Sequence, residues 1–71
     1  MRKQDSNLIV AAAVRRLRRK RGWSQDELGA RCNIHRTYIG SIERGEGNIT
    51  LKTLDQLAVT LGVRSGELLK H

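Results

Sequence analysis

The sequence contains no proline and no phenylalanine, and it has one cysteine, one tryptophan and one tyrosine among 71 residues. A lone cysteine, Cys32, excludes an intramolecular disulfide and is more typical of a reducing interior than of a secreted scaffold. The scarcity of aromatic side chains disfavours an all-β sandwich and favours helices packed through Leu, Ile, Val and Ala. The longest apolar run, residues 8–14, is far shorter than the roughly 20 residues that span a bilayer. We therefore expect an all-α, cytoplasmic domain without a membrane span or targeting segment.

The chain is short for an enzyme. Its 71 residues make at most one domain, so we treat 1–71 as a single folded unit with residues 1–6 frayed. No set of Ser, His and Asp has a catalytic spacing, and no glycine-rich phosphate loop follows a strand. Cys32 and His35 are spaced like two metal ligands, but structural zinc needs four ligands and the other histidine is the terminal His71. We expect no catalysis, no cofactor, no metal site and no small-molecule substrate.

Positive charge is in excess and unevenly distributed. Fourteen Lys and Arg oppose seven Asp and Glu, which gives a net charge of +7 and a sequence pI of about 10.8. The whole excess lies in residues 1–21, since the remaining residues carry six charges of each sign. In a soluble domain this balance indicates a polyanion as partner. The basic run 15–21 is either a solvated face or partly the surface that meets the polyanion, and we favour the second because its charges repel one another.

Apolar spacing and stop signals divide the chain into helices. Gly22, Gly45 and Gly62 each follow a stretch with helical periodicity, where a glycine closes a helix without steric strain. Ser24 and Glu27 have the spacing of a capping box, in which each side chain bonds the backbone amide of the other. The patterns predict helices over about 7–20, 24–32, 36–44 and 50–61, and a last turn that is capped by Ser65 and holds Leu68 and Leu69. The predicted architecture is a compact five-helix domain.

The stretch Gln25–Arg44, QDELGARCNIHRTYIGSIER, has the pattern of two short helices joined by a tight turn. Gly29 allows two helices to cross closely, and Asn33 tolerates the positive φ that the turn needs. Apolar side chains are expected to plug the core beside the turn and to anchor the second helix from inside: Cys32, Ile34, Ile39 and Ile42. This is the spacing of a helix-turn-helix.

With the stretches LRRKRGWSQDEL, IGSIERG and TLKTLDQLAVTLGV, these residues resemble the lambda-repressor-like, or Xre-type, helix-turn-helix family from roughly Val10 to Leu69. Within that family, HRTYIGSIERGEGNITL looks most like the small controller proteins of restriction-modification operons. The resemblance implies a homodimeric transcription regulator that binds its own promoter. Family members often have alanine where Gly29 stands and glycine where Asn33 stands. Both departures still allow the close helix crossing and the positive φ that the motif requires.

The second helix of the motif is predicted to read double-stranded DNA, because a helix of this length fits the major groove. Once the isoleucines and Glu43 turn inward, the predicted base-reading residues are Arg36, Thr37 and Ser41. Arg36 can grip O6 and N7 of guanine, and Thr37 can contact a thymine methyl group. Gly40 weakens the helix by about 1 kcal/mol relative to alanine, which suggests close approach by a phosphate or a neighbouring element.

A second group of residues is predicted to contact DNA phosphates, which fixes register rather than sequence. Ser24 and Gln25 lie at the amino-terminal end of the motif's first helix, where unpaired amides favour an anion. Family resemblance also places Gln25 against the backbone. The Tyr38 hydroxyl either reaches a phosphate or the ring only packs on the flank of the reading helix. The predicted phosphate-contacting residues are Ser24, Gln25, Tyr38, Arg44, Asn48, Thr50 and Lys52.

Other residues are predicted to shape the fold and its assembly. Arg18 and Glu43 are either two solvated charges or, as the family resemblance implies, a partly buried ion pair between the first and third helices. Trp23 is expected to seal the turn between the first two helices. A domain this small reads few base pairs, so we expect a two-fold dimer on half-sites about one helical turn apart. The predicted seam is Val63, Leu68 and Leu69. The alternative function is an antitoxin, or a phage or plasmid repressor, that also binds a protein partner.

Overall fold

The computed structural model describes residues 3–70, with side chains from Asp5 onward. It contains four α-helices, α1 (Lys3–Lys20), α2 (Gln25–Cys32), α3 (Arg36–Glu43) and α4 (Leu51–Leu61), and a 3₁₀ turn (Ser65–Leu69). No strand occurs within these described residues. The all-α prediction is confirmed, but the prediction of five helices is wrong. The last segment has only five residues and includes Gly66, and such short, glycine-containing pieces suit a 3₁₀ turn better than an α-helix.

The predicted helix ends are confirmed at the residues that adopt positive φ. Asn33 closes α2 with φ 59°, and its left-handed backbone directs the chain into α3. Gly62 closes α4 with φ 74°. Gly22 and Gly45, which follow α1 and α3, also have positive φ. Each stop is a residue that adopts this conformation at little steric cost.

The helix starts differ from prediction in three details. α1 begins at Lys3 rather than near Asn7, while Met1 and Arg2 lie outside the described residues. Ser24 Oγ accepts the Glu27 amide at 3.0 Å, but the Glu27 carboxylate faces Arg31 at 3.7 Å and makes an exposed ion pair one turn along. Only half of the predicted capping box is therefore present. Ser65 lies inside the 3₁₀ turn after its N-cap Arg64, and its hydroxyl donates to Asp55.

One core joins all five elements. Its fully buried side chains come from α1, α2, α3, α4 and the 3₁₀ turn, and the largest are Val14, Leu28, Ile39, Ile42, Leu57, Leu61 and Leu68. Cys32 is 5% exposed within the same cluster, and Trp23, Ile34 and Val63 pack against it from the edge. The predicted inward residues of α3, Ile39 and Ile42, are thus confirmed. Both are completely buried, so the orientation of α3 about its axis is fixed.

Gly29 lies where the turn and α3 meet α2. It is buried, and a Cβ placed there would run into the carbonyl oxygen of Ile34 and approach the backbone nitrogen of Arg36 to 3.4 Å. The backbone of the turn therefore occupies the space that a side chain would need. The absence of a side chain at this position allows α3 to start close against α2.

Candidate nucleic-acid interface

The outer face of α3 is the surface that the sequence predicts to read DNA. Ile39, Ile42 and Glu43 point inward and are at most 4% exposed. On the opposite side, Arg36 and Thr37 are exposed and Ser41 is half-buried. The three predicted base-reading residues therefore share the solvent-facing side of one helix, which is the arrangement that direct readout requires.

The start of α3 is held by its own cap. His35 has extended backbone angles, and its Nδ1 accepts a hydrogen bond from the Thr37 amide at 3.0 Å. His35 is therefore the N-cap of α3. The bond fixes the first turn of α3, which carries Arg36 and Thr37 toward solvent.

Glu43 joins three helices on the buried side of α3, opposite the outer face. Its two carboxylate oxygens accept from Arg18 Nε at 2.6 Å and Arg18 Nη2 at 2.8 Å. Gln25 Nε2 donates to Glu43 Oε1 at 3.2 Å, while Arg18 Nη1 donates to the Trp23 carbonyl at 2.8 Å. The Arg18 and Glu43 side chains are 11% and 3% exposed, so this is a buried bidentate ion pair. Through it α1 and α2 position the end of α3.

The environment of the pair favours both charged forms. Burial alone would raise the pKa of the Glu43 carboxyl, but hydrogen bonds from Arg18 and Gln25 and the charges of Arg18 and Arg15 outweigh it and lower that pKa. The hydrogen bond to Glu43 raises the pKa of Arg18 against the opposing effect of burial. Glu43 is therefore ionised at neutral pH and acts as a fixed anion inside the domain.

An open cleft runs between the start of α2 and the outer face of α3, lined by Ser24, Gln25, Arg36, Thr37, Gly40 and Arg44 among others. Ser24 Oγ accepts from the Glu27 amide and can still donate its own proton, while the Gln25 amide group has a second N–H beyond the one that bonds Glu43. Both side chains thus keep a donor for an anion at the amino-terminal end of α2, where free amides add to the field.

Two of the predicted phosphate donors are used within the protein. The Tyr38 hydroxyl donates to the Asn48 carbonyl at 3.1 Å, so its single proton is committed to the loop after α3. Thr50 Oγ1 accepts from the Thr53 amide and donates to Thr53 Oγ1, both at 3.1 Å, which makes it the N-cap of α4. Asn48 and Lys52 are exposed at either side of Thr50.

The loop after α3 is also fixed from α1. Asn7 Nδ2 donates to the Gly47 carbonyl at 2.7 Å. A Cβ at Gly45 would meet Leu8 Cδ2 at 2.7 Å, so the leucine lies directly over this glycine. With the Tyr38 bond, these contacts hold a loop whose glycines would otherwise leave it free to move. The contacts from Asn7 and Leu8 could not be predicted from local sequence patterns, because 40 residues separate Asn7 from Gly47.

Three arginines of the basic run bond groups of the protein itself. Besides Arg18, Arg15 Nη1 donates to the Glu43 carbonyl at 3.1 Å, and Arg21 Nη2 donates to the Leu61 carbonyl at 2.8 Å. These two carbonyls close α3 and α4, so the cations cap the negative ends of two helices. Arg16, Arg19 and Lys20 remain exposed.

Two guanidinium groups lie close to the Trp23 ring. The Arg31 guanidinium is 4.4 Å and the Arg21 guanidinium 5.3 Å from the ring centroid, within range of cation–π attraction. The indole also packs against the core cluster. Trp23 therefore does seal the junction of α1 and α2, and it stabilises two arginines there.

The predicted dimer seam needs a correction. Leu68 is completely buried in the core of the single chain, because the 3₁₀ turn packs against both α1 and α4 and directs this residue inward. It cannot offer surface to a second copy. Leu69 is 45% exposed and Val63 is half-buried against the core. Leu51 and Val59, which apolar spacing alone did not mark as surface residues, are 79% and 80% exposed and are the most exposed large apolar side chains between residues 5 and 70.

In the part of the chain that the structure describes, no group of three or more His, Cys, Asp or Glu side chains is placed to hold a metal ion. Cys32 is a buried free thiol whose pKa is raised by burial. No helix in residues 3–70 is both long enough and apolar enough to span a membrane.

Comparison with known proteins agrees with this geometry. A helix-turn-helix family model, HTH_3, matches residues 14–68. The chain is 45% identical over 65 residues to the control protein C.SmaI of Serratia marcescens, a match that covers 92% of this chain and 77% of that protein. It is 39% identical over 66 residues to a hypothetical transcription factor of Neisseria meningitidis serogroup B, covering 93% of this chain but only 62% of that protein. The crystal structure of the restriction-modification controller protein C.AhdI from Aeromonas hydrophila superposes with a TM-score of 0.83 at 32% identity, covering 87% of this chain and 94% of that one.

Proposed function

This chain belongs to the HTH_3 helix-turn-helix family of DNA-binding transcription regulators, which are not enzymes, and from that premise we propose that it is an autoregulatory controller of a restriction-modification type operon. It binds a palindromic operator as a homodimer in the cytoplasm. The observation that carries the proposal is the solvent-facing side of α3, where Arg36, Thr37 and Ser41 lie opposite the buried Ile39 and Ile42.

Base readout is assigned to three side chains of α3. Arg36 follows the N-cap His35 and so projects from the helix end that enters the groove first. Its guanidinium takes O6 and N7 of a guanine, a pairing worth about 1 to 3 kcal/mol of discrimination against the wrong base. Thr37 contacts a thymine methyl group or an acceptor, and Ser41 lies one turn further along the same side.

Contacts from the cleft beside α3 set the position of the protein along the DNA. Ser24, Gln25 and the free amides at the start of α2 bind one phosphate, and Asn48 and Lys52 contact the backbone beyond the loop. The committed protons of Tyr38 and Thr50 give these residues a different role, which is to hold that loop and the start of α4 in place. We assign the exposed Arg16, Arg19 and Lys20 to the general attraction of the polyanion.

The proposal is tested by comparing Arg36→Ala with Lys52→Ala, which removes the same charge from a backbone-contacting position. We expect Arg36→Ala to reduce the preference for the operator over a scrambled duplex about tenfold or more. Lys52→Ala should weaken binding to both duplexes equally. Selection of duplexes from a random pool by the wild-type protein supplies the operator and its half-site spacing. Unchanged discrimination in Arg36→Ala would remove α3 as the reading helix.

Salt dependence separates DNA binding from the alternative function. A dimer that neutralises roughly six to ten phosphates should lose affinity with a slope of about −5 to −9 in log affinity against log salt. A slope near zero would favour a module whose main partner is a protein, as in the antitoxin interpretation.

The dimer is proposed to form through α4 and the 3₁₀ turn. Leu51 and Val59 lie two turns apart on one side of α4, with Asp55 between them, and Asp55 is bonded to Ser65 at the start of the 3₁₀ turn. Leu51 and Val59 leave apolar area exposed that a second copy would bury, and we assign Val63 and Leu69 to the same interface. Sedimentation should show dimers of the wild type and monomers of Val59→Asp. A wild-type monomer at tens of micromolar that binds a palindromic duplex without cooperativity would exclude the dimer.

A further inference from the structure

Arg44, the C-cap of α3, does not extend toward the loop but lies back over the helix. Its Nη2 donates to Ser41 Oγ at 3.3 Å, and its Nε is 3.2 Å from Glu46 Oε2. Both ion-pair side chains are 59% exposed. The guanidinium is thus held on the side of α3 that carries Arg36 and Thr37, with an acid on the loop side and a hydroxyl on the helix side.

Gly40 provides the space in which this guanidinium lies. A Cβ at position 40 would be 3.2 Å from Arg44 Nη1 and 3.5 Å from Gln25 Oε1. Glycine weakens a helix relative to alanine, so its presence in the middle of α3 needs a reason. The close approach that the sequence suggests at Gly40 is therefore made by two neighbouring side chains of the protein itself.

The remaining donors of Arg44 have the geometry for a base edge. An arginine has five N–H donors in a planar fork. One on Nε faces Glu46 and one on Nη2 faces Ser41, which leaves both protons of Nη1 and one of Nη2. Two neighbouring nitrogens with free protons are the part of the fork that grips O6 and N7 of guanine.

The Glu46 carboxylate also disfavours a phosphate as the ligand. A phosphate bound to Arg44 at this position would lie close to the negatively charged Glu46 carboxylate on the other side of the guanidinium, and the two anions would repel each other. The O6 and N7 atoms of guanine are neutral acceptors and carry no such repulsion.

We propose that Arg44 is a second base-reading arginine, specific for a guanine in the major groove, and that Glu46 and Ser41 position its guanidinium in the space left by Gly40. This replaces the phosphate contact expected from the sequence, and it rests on the proposed function. Arg36 and Arg44 are two turns apart, about 12 Å at 1.5 Å per residue. The second guanine is therefore within about three to four base pairs of the one that Arg36 reads, at 3.4 Å per base pair.

The test measures binding to the selected operator and to every single-base-pair change in one half-site. Arg44→Lys keeps the charge but loses the fork, so discrimination at one base pair should fall about fivefold or more while the salt slope stays unchanged. Glu46→Gln and Gly40→Ala keep the arginine and should each weaken discrimination at that same base pair. Lys52→Ala is the control and should lower affinity for all duplexes alike. Thermal unfolding of each variant verifies that the fold is retained.

Two results would overturn the inference. Full discrimination at every base pair in Arg44→Lys would show that no base is read by the fork. An equal loss of affinity for all duplexes in Arg44→Ala, with a salt slope reduced by about one unit for each protomer, would identify a phosphate contact. In both cases wild-type specificity and the effect of Arg36→Ala would persist, so the proposed function would stand. A wild type without any sequence preference would refute both.

Discussion

Replacing Glu43 by glutamine removes one charge from the buried pair and changes the side-chain volume little. Arg18, 11% exposed, would then keep its charge without a counter-ion, and Gln25 would lose an anionic acceptor. Removing one partner of a buried ion pair costs about 3 to 5 kcal/mol. A domain of this length has a free energy of unfolding of about 4 to 11 kcal/mol, so the loss is a large fraction of the total. At the entropy typical of such domains, 3 kcal/mol corresponds to a fall of about 20 °C in Tm.

Urea unfolding followed by far-UV circular dichroism measures this loss directly. Glu67→Gln is the matched control, because it removes the same group from an exposed ion pair with Lys70, in which the side chains are 46% and 71% exposed. Exposed pairs contribute about 0 to 1 kcal/mol, so the control should unfold close to the wild type. Equal midpoints for Glu43→Gln and Glu67→Gln would refute the assignment of Glu43 as a buried structural anion.

A double variant distinguishes the loss of the Arg18–Glu43 interaction from the cost of leaving one buried charge without a partner. In Glu43→Leu with Arg18→Met both charges are gone, and apolar replacements of buried pairs are often close to neutral. The double variant should therefore be more stable than Glu43→Gln alone, although Arg18 also loses its bond to the Trp23 carbonyl. A double variant that is less stable than either single change would mean that the two side chains act independently.

Acid should destabilise the domain through the Glu43 carboxyl, because its pKa is lowered in the folded state. The stability that ionised Glu43 contributes is complete above the ordinary glutamate pKa of about 4.3 and is lost as the pH falls through the lowered value. Thermal unfolding between pH 6 and pH 2 should show a shallower decline in Glu43→Gln, and parallel curves would contradict this. Leu68→Ala should cost about 2 to 5 kcal/mol because it empties a fully buried site. Leu69→Ala, at a residue that is 45% exposed, should lower the free energy of unfolding much less. Equal urea midpoints for Leu68→Ala and Leu69→Ala would contradict the placement of Leu68 in the core.

The features that the sequence predicted correctly are those governed by local backbone chemistry. Asn33 and Gly62 are conspicuous because few residues adopt positive φ, so their positions mark helix ends without any tertiary information. The inward side of α3 follows from periodicity, since Ile39 and Ile42 share the side opposite the solvent-facing Arg36 and Thr37. Local rules of this kind position the helix-turn-helix and its reading face.

The features that the sequence did not predict depend on contacts between distant residues. Periodicity places Leu68 on an apolar side of the last turn, but whether that side meets α1 and α4 or solvent depends on how the turn folds back. The Tyr38 hydroxyl has one proton, and its use by the Asn48 carbonyl depends on the path of the loop. Arg44 was expected to extend to a phosphate, and its direction is set by Ser41, Glu46 and the missing side chain at Gly40.

The basic run shows why net charge is a weak guide to the surface that meets DNA. Arg15 and Arg21 bond the carbonyls that end α3 and α4, and Arg18 is neutralised by Glu43. Half of the six basic residues between 15 and 21 therefore balance helix dipoles or an internal anion. The positive charge of these three arginines is therefore partly neutralised within the protein. Arg36, on the outer face of α3, has no such compensating group among the residues that the structure describes. In the proposed function, the excess charge attracts DNA from a distance, and the operator is read by a few side chains whose partners leave their donors free.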